Sequence, residues 1–550
     1  MRYLPLLLPL FVLGCQPSAP ADQGAANYPA LALDFQPNIV WIVAEDMSPN
    51  IPVFGDSTIE TPTLSRLAKE GVVYPNVFSV SGVCAPSRFS LATGIYTTTG
   101  NAQHMRTSSR SSYHDIINVP PYEAMPPAEV MMMSEVLRRN GYYATNNSKE
   151  DYQFSRPVTA WDESSRQAHW RNRAPGQPFF AIFNIGTTHE SQIWSRMGDS
   201  LWVDPDLDVP VPPYLPDNEV GQRDVRQMYS NIRQLDDQVG QRLAELEEAG
   251  LLDSTIVVWY TDHGGPLPRQ KRLLYDSGLN VPMIIRFPGQ IAAGTTDDQL
   301  ISFVDFAPTA FSLAGIQPPA YLDGQPFLGV YDAEPRQYIH AASDRFDTVT
   351  DMIRGVRDHR YKYLRNYRTD QPYYLPVTYR EQMPIMQELL RMRDAGELDE
   401  IQAQWFRETK APEELFDTQA DPYELNNIAD DPAMADKLAE LSAEMDRWMA
   451  STGEPGDMPE IEFLRRLWPD LQQPVTAPIA AAFDGESAVL TTPTEGASIG
   501  YQLVTPGAEP TQHHWQVYTE AVVVPEGMEL VAVAHRIGFK PSEQVRLARS

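Results

Sequence analysis

The sequence Pro37-Asn-Ile-Val-Trp-Ile-Val-Ala44 is a continuous apolar run rich in β-branched residues, and Glu45 and Asp46 follow it directly. A run of this kind is typical of a strand that is buried on both faces, as in a parallel sheet. Similar runs at 178–185 and 254–260 alternate with helical patterns. This rhythm predicts an α/β fold, in which helices flank a large doubly wound sheet that is parallel or mixed.

Polar side chains follow each of the predicted strands at its carboxyl end. They are Glu45, Asp46, Lys149, His189, Asp262 and His263. Ligands bind at the carboxyl ends of strands in open α/β sheets, so these residues predict one common site. Acidic residues at strand ends are often helix caps, and either acidic pair alone is weak evidence. Together the four mainly oxygen donors Glu45, Asp46, Asp262 and His263 suit a hard divalent cation.

The stretch Cys84-Ala-Pro-Ser-Arg88 holds one of only two cysteines in 550 residues. A lone cysteine is more often a small buried hydrophobe than a reactive group. Here the neighbouring proline predicts an extended or turning backbone that a modifying enzyme can reach. Arg88 can hold an oxyanion with a fixed fork of donors. We expect a helix to begin near Pro86, where its N-terminal amides would stabilise negative charge.

The order Cys84-x-Pro-Ser-Arg88 resembles the signature of the formylglycine-dependent sulfatases, part of the alkaline-phosphatase-like superfamily. Residues 41–49 and 145–149 are most similar to bacterial polysaccharide sulfatases related to heparan N-sulfatase. The resemblance implies that a formylglycine-generating maturation enzyme oxidises Cys84, and that the hydrated aldehyde attacks sulfate esters through a covalent sulfo-enzyme intermediate. It implies calcium (Ca²⁺) as the metal. The nitrogen of His263 leaves Mg²⁺ or Mn²⁺ open as alternatives.

The resemblance also carries over individual residues. Lys149 matches the lysine of a Lys-x-His pattern, whereas Asp151 departs from it, and Lys271 matches the lysine four residues before Tyr275. His189 stands where the family has a histidine that protonates the leaving oxygen. The implied catalytic residues are Cys84, Arg88, Lys149, His189 and Lys271; the implied metal ligands are Glu45, Asp46, Cys84, Asp262 and His263; and His104 and Arg106 are expected to bind substrate.

The net charge of −30 argues against a nucleic-acid partner, because phosphate binding needs a basic face. A sulfated oligosaccharide or polysaccharide is the substrate that the resemblance implies. The acidity of the whole chain opposes such a polyanion, so the pocket itself must be locally basic. Two alternatives stay open: a phosphodiesterase or phosphonate hydrolase of the same superfamily, and a surface sugar-binding protein with an inactive site.

Residues 1–15 have a charged start and a short apolar run, which predicts a lipoprotein-type signal peptide with Cys15 as the lipidated residue. Residues 16–36 are then a tether, and the protein is exported to the periplasm or anchored at the outer membrane, touching a membrane only through this lipid. We expect a catalytic domain at 37–335, an α+β subdomain with an antiparallel sheet at 336–455 and a small immunoglobulin-like β-sandwich at 474–550. Residues 367–399 are expected to be a substrate loop.

Overall fold

The computed structural model describes residues 33, 35–108 and 113–549. The predicted signal peptide, the predicted lipid anchor at Cys15 and nearly all of the predicted tether lie outside these residues. Within the described part, none of the helices combines the length and the apolar character that crossing a bilayer requires.

A mixed sheet organises the first part of the described chain. Its nine strands are β1 (Asn38–Ala44), β2 (Val72–Phe78), β3 (Tyr143–Asn147), β4 (Glu163–Ser164), β5 (Phe179–Ile185), β6 (Thr255–Thr261), β7 (Asn280–Arg286), β8 (Thr295–Thr296) and β9 (Ile301–Ser302). The strand order is β4-β3-β5-β1-β6-β7-β2-β8, and β9 pairs with β2. The strands from β4 to β6 run parallel, whereas β7 is antiparallel to both of its neighbours. The predicted α/β class is confirmed.

The central strand β1 is buried on both faces, as its sequence predicts. Trp41 and its neighbours of the same parity face one hydrophobic core, and Ile42 faces the other. On the first side, the indole of Trp41 meets Phe180 of β5 and Tyr260 of β6 edge-on, with ring centroids 5.2 and 5.6 Å apart. These contacts fix the three parallel strands whose carboxyl ends carry the site.

Twelve α-helices occur in the described residues, and several of them cover the two faces of this sheet. They are α1 (Pro62–Glu70), α2 (Cys84–Thr93), α3 (Tyr113–Ile117), α4 (Met133–Arg139), α5 (Ser191–Ser195), α6 (Glu219–Glu248), α7 (Asp276–Leu279), α8 (Phe306–Leu313), α9 (Pro384–Ala395), α10 (Glu400–Ala403), α11 (Ala435–Ser451) and α12 (Glu460–Leu467). The long helix α6 begins at Glu219, because the side chain of Asn218 accepts hydrogen bonds from the amides of Val220 and Gly221. The helix expected near Pro86 begins two residues earlier, at Cys84.

A second, antiparallel sheet follows in the order β10 (Ile339–Ser343), β11 (Ile353–Arg357), β12 (Tyr361–Asn366) and β13 (Glu413–Asp417). Helix α11 packs on it through Leu441, Met445 and Trp448. The segment 367–399 is not a loop throughout, because its second half forms α9, which lies against α6.

The last part of the chain forms two antiparallel sheets. One contains β14 (Ala480–Asp484), β15 (Ser487–Thr491) and β18 (Val522–Val523); the other contains β16 (Ser498–Val504), β17 (Gln516–Val517), β19 (Glu529–His535) and β20 (Val545–Ala548). Leu490 of β15 and Ile499 and Leu530 of the second sheet share one small core, as in a β-sandwich. Arg138 of α4 donates a hydrogen bond to the carbonyl of Trp515 and ties these sheets to the main fold.

Candidate active site

The site begins where β1 and β6 end side by side. The two strands pair in register up to Ala44 and Thr261, so the residues that follow them are neighbours. Asp46 then takes a left-handed backbone conformation with φ of 48°, and its amide donates to Oδ1 of Asp262 at 3.1 Å. Both carboxylates are completely buried. The turn therefore brings two acidic side chains together below the surface.

Cys84 meets these carboxylates from the first turn of α2 and is itself completely buried. Its Sγ lies 3.4 Å from Nε2 of His263 and 3.9 Å from Oδ1 of Asp46. The backbone just before α2 packs closely against the loop after β6, because a Cβ added at Gly82 would stand 2.4 Å from the carbonyl oxygen of Leu273. Sγ marks the position that the oxygens of a formylglycine hydrate would occupy.

Two overlapping groups of donors could hold a metal ion at this point. The first group consists of Asp46, Cys84, Asp262 and His263, and the second consists of Glu45, Asp46 and His189. Within each group, the donor atoms all lie within 4.8 Å of one another. Carboxylate oxygens dominate the combined set, which fits a hard divalent cation. The predicted ligand Glu45 belongs to the second group and not to the one around Cys84.

Arg88 lies one turn of α2 beyond Cys84 and is held on several sides. Its guanidinium contacts Oδ2 of Asp262 twice at 3.0 Å and donates to Oδ1 of Asn184 at 2.6 Å. Glu45 is 3.6 Å away. These partners fix the plane of the guanidinium, so it is preorganised to bind an anion.

Two lysines approach from opposite directions. Lys149 follows β3 and contacts Oε2 of Glu45 at 3.0 Å. Lys271 lies in the loop after β6, where its Nζ is 2.5 Å from Asp46 and 3.2 Å from Glu190. Both lysines act on Cys84 electrostatically. Burial alone would raise the pKa of the Cys84 thiol, but Lys149 and Lys271 outweigh it and lower that pKa to about 5.

His189 follows β5 and turns one ring nitrogen toward the site. The backbone amide of Ser191 donates to Nδ1 at 3.3 Å, so the neutral ring carries its proton on Nε2, which lies 4.0 Å from Asp46. Burial opposes the charged ring, but Asp46 outweighs it and raises the pKa of His189. The ring is therefore kept in a form that can give up a proton.

Comparison with known proteins agrees with this chemistry. A family model described as "Sulfatase" matches residues 37–176 and 145–316, and one described as "N-sulphoglucosamine sulphohydrolase, C-terminal" matches residues 269–404. An "Ulvan-active sulfatase" of Formosa agariphila is 50% identical over 555 aligned positions, which cover 94% of this chain and 92% of that protein. The chain belongs to the sulfatase family. It is accordingly a sulfuric ester hydrolase.

Two further relatives of this sulfatase are more distant. Human N-sulphoglucosamine sulphohydrolase is 24% identical, over 76% of this chain and 91% of that protein. A solved structure described as a complex with its substrate D-glucosamine-2-N,6-O-disulfate superposes with a TM-score of 0.56 at 18% identity. It covers 78% of this chain and all of the other, and it confirms the sulfatase fold.

The sulfatase structure separates the two residues expected to bind substrate. Arg106 contacts Asp151, two residues after Lys149, at 3.2 Å, so it borders the segment that carries this lysine. His104 is placed differently. Its ring packs edge-on against Phe463, with centroids 5.7 Å apart, and its Nδ1 accepts from the amide of Arg345. Burial lowers the pKa of His104 to about 4, as for a neutral core residue.

Sequence reasoning missed three residues of this site. Asn184 is a polar residue inside the buried strand β5, and it orients Arg88. Glu190 directly follows His189 and is bound by Lys271 and by both terminal nitrogens of Arg272. Glu190 could have been found with the same strand-end rule that selected His189, whereas Arg272 carries no comparable signal.

Proposed function

We propose that this sulfatase is exported and removes sulfate groups from a sulfated polysaccharide, with a formylglycine made from Cys84 and a divalent metal. One observation carries the proposal. The ends of β1, β3 and β6 and the start of α2 bring Cys84, two buried carboxylates, His263 and the cations Arg88, Lys149 and Lys271 to one point. A converging set of this kind is what a sulfate ester needs, because its charge is spread over three oxygens.

The cations of the chain hold the sulfate group in this proposal. Arg88 presents a fixed planar fork, and Lys149 and Lys271 act as point charges on Cys84. Lys149 and Lys271 outweigh the effect of burial and lower the pKa of the Cys84 thiol, so their charges act at this position. Three cations thus stand where the sulfate would bind, although the whole chain carries a charge of −30.

His189 acts as the general acid. Its Nε2 carries the proton and faces the buried cluster, so an ester oxygen bound there lies within reach of it. Modified Cys84 would supply the nucleophile as a geminal diol. Nε2 of His263 lies 3.4 Å from the Sγ position, so His263 would hold the metal beside this nucleophile.

The metal in this proposal is calcium, with Mg²⁺ and Mn²⁺ as alternatives. Asp46, Asp262 and His263 would hold it together with an oxygen at position 84, and Glu45 borders the same space. A bound divalent ion would polarise the sulfate oxygens. Elemental analysis of the purified protein identifies the ion. We expect about one per chain, and expect Asp262→Asn to lose it while the fold measured by circular dichroism is kept.

The substrate class follows from the relatives. The 50% identical relative is named an ulvan-active sulfatase, which favours ulvan as the substrate. The more distant N-sulphoglucosamine sulphohydrolase favours an N-sulfated sugar, but at only 24% identity. Sulfate release from ulvan oligosaccharides and from N-sulfated glucosamine, measured side by side, decides between the two.

The test of the whole proposal is the mass of the Cys84 peptide from protein made in a host with the maturation enzyme. We expect the aldehyde or its hydrate, and expect Cys84→Ala to reduce sulfate release more than about 10³-fold. An intact thiol in active protein would overturn the mechanism, and an intact thiol in inactive protein that still binds saccharide would favour a binding protein. Faster hydrolysis of an aryl phosphate diester than of an aryl sulfate would favour the phosphodiesterase alternative.

Export rests on the N-terminal pattern alone. We propose that Cys15 is lipidated and anchors the exported enzyme at the outer membrane. Fractionation of the native host tests this, because Cys15→Ser should move the protein from the membrane fraction to the soluble fraction. Wild-type protein in the soluble fraction would contradict it.

A further inference from the structure

We propose that Tyr379 and Trp194 form an aromatic platform beside His189 that stacks against the sugar ring carrying the sulfate group. The inference rests on the proposed function, since it concerns the alcohol side of the same sulfate ester. It assigns a role to part of the segment 367–399, which contributes none of the residues described so far in the active site.

The two rings lie next to the general acid. The ring centroid of Tyr379 is 6.4 Å from that of His189 and 5.2 Å from that of Trp194, and both contacts are edge-to-face. Tyr379 is 39% exposed, and Trp194 is partly exposed. Trp194 belongs to α5, which begins two residues after His189, so its position is tied to that of the histidine.

The position of His189 determines which part of the substrate meets these rings. The proton on Nε2 must reach the ester oxygen that leaves with the sugar, at hydrogen-bond distance. The sugar ring is attached to that oxygen through one or two bonds, so it lies on the far side of the oxygen from the sulfur. An aromatic ring directly beside His189 therefore borders the space that the sugar must fill.

Tyr379 is held rigidly, although its ring is exposed. The next residue, Arg380, is 3% exposed, stacks over Trp405 at 4.8 Å and donates to the carbonyl of Leu375. A few residues later, the amide of Ile385 in α9 donates to Asp224 of α6 at 2.7 Å. The anchored backbone lowers the entropy cost of presenting the ring to a ligand.

Aromatic rings suit a saccharide for a physical reason. The C–H face of a pyranose is apolar and packs flat on an aromatic ring, while its hydroxyl groups stay in contact with water or polar side chains. Single exposed aromatic residues are common on protein surfaces and need no function. Tyr379 and Trp194 differ from such residues because they lie beside His189 and because the backbone that follows Tyr379 is anchored.

The test compares Tyr379→Ala with Tyr331→Ala, a matched control. Tyr331 is 37% exposed, and its amide is bound by Ser312 of α8. With a sulfated oligosaccharide as substrate, we expect Tyr379→Ala to raise KM at least about tenfold with kcat changed less than about threefold. Tyr379→Phe should restore KM, because the ring and not the hydroxyl makes the contact. The KM of Trp194→Phe should lie between those of Tyr379→Phe and Tyr379→Ala.

Direct binding separates this inference from the proposed function. In a Cys84→Ala background, which does not turn over substrate, calorimetry with the same oligosaccharide should show at least about a tenfold weaker Kd for Tyr379→Ala. An unchanged Kd and KM would overturn the platform and leave the sulfatase proposal intact. Absence of sulfate release by the parent enzyme from any saccharide offered would instead contradict the proposed function itself.

Discussion

Two clusters of buried charge in this protein look alike but differ in their arrangement. The catalytic cluster comprises Glu45, Asp46, Arg88, Lys149, Glu190, Asp262, His263 and Lys271. The scaffold cluster comprises two ion-pair groups that start from β11 and β12: Asp344, Arg354 and Glu454, and Asp276, Arg357, Lys362 and Glu424. In the scaffold cluster, each cation forms ion pairs with neighbouring carboxylates. In the catalytic cluster, the cations also act on Cys84, which is no part of an ion pair.

The difference teaches what identifies a site. The scaffold cluster joins parts of the fold: Lys362 of β12 contacts Asp276 of α7 at 2.5 Å and Glu424 at 2.9 Å. Its burial and charge density match those of the catalytic cluster, so neither property alone marks function. What marks function is the convergence of charge on one atom that could react. The two clusters should therefore respond differently to the loss of one cation.

The largest effect is expected from Lys271→Ala in the catalytic cluster. The side chain contacts Asp46 at 2.5 Å and helps to lower the pKa of Cys84. Its removal takes away a fixed charge aimed at the sulfate, so kcat/KM should fall about 10³-fold, or about 4 kcal/mol of transition-state stabilisation. Initial rates of sulfate release measure this. Lys437→Ala, which removes a lysine bound to Asp358 and Glu440 at the surface, should leave the rate unchanged.

The next effect is one of stability and belongs to the scaffold cluster. Arg354 contacts Glu454 at 2.7 and 2.8 Å and Asp344 at 2.9 Å, and it is completely buried. Arg354→Met leaves two buried carboxylates without their cation, which should lower the free energy of unfolding by about 3 kcal/mol. Chemical denaturation followed by circular dichroism measures the loss. The folded variant should keep its kcat, and a loss of kcat larger than about tenfold would show that the two clusters are coupled.

The stability that the scaffold cluster provides should depend on pH in a defined direction. Burial raises the pKa of Asp344 to about 7, even though Arg354 opposes the shift. An unfolded aspartate loses its proton near 4, so the unfolded state binds fewer protons than the folded one between these values. Stability should therefore fall as the pH rises from about 4 to about 7. Arg354 lowers the pKa of Asp344, so without it the decline should continue to higher pH, and denaturation at pH 5, 7 and 8.5 checks it.

Sequence predicted the catalytic cluster better than its supports. Asp46 and Asp262 follow apolar strands, and the rule that strand ends form sites locates them without any tertiary information. Asn184 and Arg272 have no such signal, because their roles come only from the side chains that surround them in the fold. His104 shows the reverse case: it is expected to bind substrate, but the chain turns its ring toward Phe463.

A smaller effect is expected from His189→Gln, with a change in the pH profile. Asp46 raises the pKa of His189 against the effect of burial, so the ring stays protonated to a higher pH than an ordinary histidine. A general acid works only while protonated, so wild-type activity should fall as the pH rises through this raised pKa. The variant should be slower by about 10²-fold and should lack that alkaline limb. A limb that persists in the variant would assign the titration to another group.

The smallest expected effect tests whether a carboxylate of the catalytic cluster acts through its neighbour. Glu190 contacts Lys271 at 3.2 Å and Arg272 at 2.9 Å; burial opposes its ionisation, but these cations lower its pKa to about 2. Glu190→Gln keeps the shape and the backbone amide that donates to Asp46, and removes only the charge that holds Lys271. We expect kcat to fall about tenfold with KM unchanged.

Asp347→Asn is the matched control for Glu190→Gln. Asp347 binds Arg272 at 2.7 Å, so both variants disturb Arg272. Only Glu190 also binds Lys271. If the position of Lys271 is what matters, Asp347→Asn should keep kcat within about twofold of the parent enzyme. Equal losses of kcat in the two variants would show that the position of Arg272, and not that of Lys271, is responsible. The ion pairs of Arg272, and not a cation that acts on Cys84, would then account for the loss of kcat. This part of the catalytic cluster would in that case behave like the scaffold cluster.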